Sequence, residues 1–156
     1  MFQRVTLIGH VGQDPQMRYT PDGTPVTTIS LATKQSINKE TNPNCPNGWK
    51  ESYNGRSWEV TTWWRVTCWR KLGEIVNQYV TKGQLVFVEG EVAGESKDGK
   101  MNPRVWAGQD GVSRASFELT ARTVKMLGGR GEGGAGGEAA VGEPPPGGYE
   151  EDELPF

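Results

Sequence analysis

One segment of the chain, Lys71–Val80 (KLGEIVNQYV), spaces its apolar residues as a helix does. Leu72, Ile75, Val76, Tyr79 and Val80 fall at i, i+3, i+4, i+7 and i+8, with Lys82-Gly83 following as an end signal. The segments around it pattern as strands. Val5, Leu7, Gly9 and Val11 alternate with Thr6, Ile8 and His10. Val26–Thr33 (VTTISLAT) is β-branched, and Trp58–Trp69 (WEVTTWWRVTCW), Gln84–Ala93 (QLVFVEGEVA) and Ser113–Val124 (SRASFELTARTV) follow. Arg104–Gln109 reads as a shorter strand, turned by Asp110-Gly111. A single helix cannot supply the crossovers of a parallel α/β sheet, which leaves a small barrel or a sandwich. One helix between the third and fourth of five principal strands points to the all-β OB-fold, a five-stranded Greek-key barrel. A sandwich would usually show more strands and no helix.

The folded part is expected to span residues 1–127. From Gly128 on, the last 29 residues hold ten of the 22 glycines and four of the ten prolines. They offer too little apolar surface to offset chain entropy. Residues 128–149 therefore read as a disordered linker and residues 150–156 (EEDELPF) as an acidic tip. Two long loops are expected within the domain, at 38–57 and 94–103; such loops are usually functional or mobile.

The net charge of −2 conceals a split. Residues 1–127 carry 16 Lys and Arg against 12 Asp and Glu, a balance of +4; residues 128–156 carry one Arg against seven acids, a balance of −6. A basic domain suits an anionic ligand, and an acidic tail also suits simple solubility. Catalysis finds little support. His10 is the one histidine, reads as structural, and with two distant cysteines gives no metal-ligand spacing. No glycine-rich phosphate loop is followed by Lys-Ser/Thr. No cofactor is expected. Cys45 and Cys68 make no disulfide framework, no apolar run approaches 18 residues, and the N-terminal pattern is neither a signal nor a transit sequence. A reduced, cytoplasmic setting is the expectation.

The segment Trp58–Trp69 holds four of the six tryptophans. Strand periodicity divides them between two faces. Trp58, Val60, Thr62, Trp64, Val66 and Cys68 share one face, and Val66 and Cys68 turn it inward. Trp63, Arg65 and Trp69 then share the outer face with Glu59, Thr61 and Thr67. Aromatic, cation, aromatic is the row that single-stranded nucleic acid needs: bases stack on the rings at roughly 1–3 kcal/mol each, and cations meet the phosphates. The same row also fits a face covered by another sheet or subunit, and an RNA-binding OB module fits it as well as a DNA-binding one.

These residues resemble the bacterial single-stranded DNA-binding protein family. The resemblance runs through VTLIGHVGQDPQMRYTPDGTPVTTISLAT (5–33), WWRVTCWRKLGEIVNQYVTKGQLVFVEGEV (63–92), RVWAGQDGVSRASFELTARTVKML (104–127) and EEDELPF (150–156). It implies an OB-fold, a homotetramer, and a cytoplasmic, nucleoid-associated protein that protects single-stranded DNA in replication, recombination and repair. It places stacking residues at Trp63, Trp69 and Trp106 and a phosphate contact at Arg65. Arg4, Arg18, Lys71 and Lys82 stand at positions that are basic in relatives. Trp64 falls near the family's subunit interface and reads as core or tetramer contact. Asp152, Glu153, Leu154, Pro155 and Phe156 correspond to the tip that engages replication, recombination and repair proteins. An aromatic that some relatives place past the second strand falls at or near Ile37 here; Trp49, Tyr53 and Trp58 are candidates to replace it.

Overall fold

The computed structural model describes residues 2–97, 99–107 and 111–127. The linker and tip expected at 128–149 and 150–156 lie outside the described residues, as does the end of the strand expected to reach Gln109. In chain order the elements are β1 (Val5–Val11), β2 (Gln16–Tyr19), β3 (Pro25–Asn38), β4 (Lys50–Glu51), β5 (Ser57–Trp69) and α1 (Arg70–Tyr79). They continue with β6 (Leu85–Ala93), β7 (Glu95–Lys97), β8 (Lys100–Asn102), β9 (Val105–Ala107), β10 (Ser113–Ala115) and β11 (Phe117–Met126).

Five of these strands close on themselves. The sheet runs β3-β1-β6-β11-β5, and β5 pairs back onto β3. Only β5 with β11 is parallel in this ring. Closure leaves the barrel strands no free edge. This is the expected five-stranded OB barrel with its helix between the third and fourth barrel strands.

The inward faces supply the core. Ile29, Leu31, Val66, Cys68, Val86, Val88 and Leu119 are fully buried, and Val76 of α1 and Val80 just after it pack against them. Helix and barrel meet tightly at Gly73. A Cβ there would lie 2.7 Å from the Cys68 carbonyl oxygen. The buried Thr27 hydroxyl donates to the Gly73 carbonyl at 2.7 Å, which satisfies both groups away from water.

The structure also departs from the sequence expectation. The helix stops at Tyr79, before Lys82-Gly83, because Val80 turns extended to enter the core at 3% exposure. Gly83, at φ +84°, serves the turn into β6, where its N–H donates to the Val11 carbonyl. β2 was not expected; only Met17 of its four residues is half-buried, so it carries no apolar alternation. β3 runs on to Asn38, paired with β5 over the mostly polar stretch Lys34–Asn38. Both expected loops hold short strands: β4 adds to β5 within 38–57, and β7 and β8 form a hairpin within 94–103. The expected strand 113–124 is broken at Ser116 into β10 and β11. His10, expected to be a satisfied structural residue, is exposed on the outer side of β1.

Candidate nucleic-acid interface

The outer face of β3 and β5 forms the floor of the site. Directly opposite residues share a face. Trp63 lies opposite Ala32, Arg65 opposite Ser30, Thr67 opposite Thr28 and Trp69 opposite Val26. The β3 partners are small or β-branched, so the large β5 side chains stand clear of them. β2 extends the floor, with Gln16 opposite Thr28 and Arg18 opposite Val26. On the inner face, Leu31, Ile29 and Thr27 oppose Trp64, Val66 and Cys68. Trp63 and Trp69 are 54% and 46% exposed, against 0% for Val66 and Cys68.

Trp63, Arg65 and Trp106 line one open cleft of about 580 Å³, together with Ser30, Gln16 and Arg104. Trp106 arrives from β9, whose pairing with β10 sets Trp106 opposite Arg114. The indole of Trp63 lies over Gly12; a Cβ on Gly12 would come within 2.4 Å of the ring. Trp69 and Arg18 continue the floor beyond the cleft lining, on either side of Val26 in one row. Lys71 is exposed on the first turn of α1. Lys82 is exposed in the turn after the helix, and its backbone N–H donates to Asp14 Oδ1 at 2.9 Å, at the Asp14 end of the cleft. Arg4 lies apart from the cleft lining: its guanidinium pairs with Glu89 at 2.7 Å and sits over the Phe2 ring.

Among the described residues, Arg18, Arg65, Lys71 and Lys82 have no carboxylate within ion-pair distance, so their charge faces solvent. At the floor's edge, Asp22 accepts hydrogen bonds from the Thr20 and Thr24 hydroxyls, which hold its carboxyl below the usual range. No group of three His, Cys, Asp or Glu that could hold a metal occurs among the described residues.

Sequence reasoning missed Arg104 and Glu118. Arg104 lines the cleft, and its Nε lies 3.8 Å from the carboxylate of Glu118, which is buried at 8% exposure. Neither has a local signature; both depend on how the segment before β11 folds back.

Trp64 points away from Trp63. Its Nε1 donates to the Thr33 hydroxyl at 3.1 Å, and its ring packs 5.3 Å from that of Phe117. A second, apolar pocket of about 360 Å³ lies against Trp64, Val92, Met101 and Phe117. Trp58 braces the long 38–57 segment: its Nε1 donates to the Asn42 carbonyl at 2.9 Å, and the Lys39 ammonium sits 4.1 Å above its ring. Lys39 is also ion-paired with Glu51. Tyr53 is fully exposed in the turn between β4 and β5. Ile37, where an aromatic was missing, is half-buried opposite Trp58.

A small closed barrel with exposed aromatics and cations in one groove defines an oligomer-binding OB domain. The particular family follows from comparison. Residues 2–127 match the model of the single-strand binding protein family, and the chain belongs to that family. Two proteins named single-stranded DNA-binding protein illustrate the similarity. The one from Neisseria meningitidis serogroup A is 37% identical over 142 residues, covering 90% of this chain and 69% of the relative. The one from Xanthomonas axonopodis pv. citri is 38% identical over 130 residues, covering 83% of this chain and 60% of the relative. The family's proteins bind DNA and are not enzymes. No helix among the described residues is long and apolar enough to cross a membrane.

Proposed function

We propose that this protein binds and protects single-stranded DNA without sequence preference. The carrying observation is the meeting of Trp63, Arg65 and Trp106 in one open groove, continued by Trp69 and Arg18 on the same floor. Every base presents a π-face, so a row of exposed indoles accepts any sequence, while Arg65, Arg18, Lys71 and Lys82 neutralise phosphates. A duplex keeps its bases stacked and gains little here. The family membership and the relatives' names support the same reading.

Within this reading the protein acts as a homotetramer in the cytoplasm, on the nucleoid, in replication, recombination and repair. Exposed apolar residues away from the groove support self-association: Ile8 on β1, Val92 on β6 and Phe117 beside Trp64. The tip Asp152–Phe156 recruits partner proteins, docking Phe156 while its acids meet basic residues. Adding oligo(dT) in a salt series tests the central claim. Intrinsic tryptophan fluorescence is quenched, and the slope against salt counts phosphate contacts. Absent quenching at low salt rejects DNA binding; equal quenching by oligo(U) makes the site indifferent to the sugar. Light scattering on the same samples reports the oligomer.

A further inference from the structure

The β9–β10 pair stands apart from the barrel as a separate two-stranded sheet. All six of its residues are exposed, Trp106 at 43%, so beyond the covered part of that one ring the arm has little apolar burial to hold it in place. Yet it carries Trp106, which shares the groove with Trp63. The residue before β9 is Pro103-linked Arg104, and the residue after β10 is Ser116. Both reach one side chain. Glu118 Oε1 accepts a hydrogen bond from the Ser116 hydroxyl at 2.9 Å and lies 3.8 Å from Arg104 Nε.

We propose that Glu118 is a positioning residue for DNA binding: its buried carboxylate ties down both ends of the β9–β10 arm and so holds Trp106 across the groove from Trp63. The inference rests on the stacking role given to Trp106 above. A carboxylate at 8% exposure needs partners, because an unpaired buried charge is strongly unfavourable. Arg104 and Ser116 are those partners, and each flanks the arm. Glu118 also lies opposite Arg65 in the β5–β11 register, beside the groove floor. There its negative charge opposes bound phosphate. By direct electrostatics it weakens DNA binding; through the arm it strengthens it. The two effects have opposite signs.

That opposition makes the test decisive. Glu118→Gln keeps the size and an oxygen acceptor for Ser116 but removes the charge. Oligo(dT) titrations at fixed salt are expected to show binding about fivefold weaker than wild type, a loss of about 1 kcal/mol. Trp106→Ala, which weakens the wild-type protein, then adds little to Glu118→Gln, so the pair is coupled in a double-mutant cycle. Ser116→Ala shifts affinity in the same direction from the arm's other end, and it stands as the test if thermal unfolding shows Glu118→Gln to be misfolded. Unchanged or tighter binding by Glu118→Gln, with Trp106→Ala still weakening the wild type, overturns the positioning role and leaves stacking intact. If Trp106→Ala binds as wild type does, the stacking role fails, and the positioning role with it.

Discussion

Trp63 and Trp64 are consecutive, and their indoles lie on opposite faces of one strand. Trp63 rests over Gly12 beside the open cleft, while Trp64 donates to Thr33 and packs near Phe117. A one-residue step thus separates an exposed ring from a half-buried packing ring, although Trp64 also contributes to the cleft lining.

Substituting each in turn separates the two roles. Trp63→Ala weakens oligo(dT) binding by roughly 1–3 kcal/mol and leaves the melting temperature nearly unchanged. Trp64→Ala removes a half-buried indole and is expected to destabilise the fold, and with it the proposed oligomer, by about 2 kcal/mol or more. Fluorescence titration, calorimetry and light scattering on both variants check the split. Equal losses of DNA affinity from both would contradict it.

Gly12 tests how much the resting place of Trp63 matters. An added Cβ collides with the ring at 2.4 Å, so Gly12→Ala must displace the indole. The expected outcome is weaker DNA binding, smaller than for Trp63→Ala, with little change in stability because the clash falls on an exposed side chain. Affinity equal to wild type would mean the ring has other productive positions.

The two cysteines differ in reactivity. Cys68 is fully buried, and burial pushes its thiol from 9.0 up to about 12; Cys45 is exposed. A disulfide-exchange reagent at neutral pH is expected to titrate one thiol per native chain and two in denaturant. The raised value also predicts alkaline sensitivity. The unfolded thiol loses its proton above about pH 9 while the native one keeps it, so the stability held below that pH falls between about 9 and about 12. Cys68→Ser is the control for thiol count, and a flat stability profile above pH 9 would exclude the linkage.

Deleting residues 150–156 separates DNA binding from recruitment. The deletion removes negative charge that opposes the basic domain, so the truncated chain is expected to bind oligo(dT) as tightly as the full chain or slightly more tightly, and to lose the partner binding proposed for the tip. Parallel DNA titration and partner binding assays check this; a large loss of DNA affinity would assign the tip to the groove itself.

The main architecture was legible because burial leaves a periodic trace. Val66 and Cys68 alternate with Arg65 and Trp69, so one strand revealed both its faces, and the helical spacing of Leu72, Val76 and Val80 had no strand equivalent. β2 and the far half of β3 left no such trace. Gln16, Arg18 and Lys34–Ser36 are exposed, so backbone pairing to a neighbour, rather than a hidden face, makes them strand. Trp106 was found through the resemblance and not through periodicity, since its short strand is exposed throughout. Arg104 and Glu118 meet 14 positions apart in sequence, across a folded-back arm, which no local pattern encodes.

The β3–β5 ladder has an evolutionary consequence. Its register is continuous from Val26 with Trp69 to Asn38 with Ser57, and the first half is anchored in the barrel core. Residues added to or removed from the far end change the reach of the projecting hairpin without shifting Trp63 or Arg65. The 39–56 segment can therefore diverge in length and composition among descendants of one ancestor while the groove stays constant, which leaves that hairpin free to acquire new contacts.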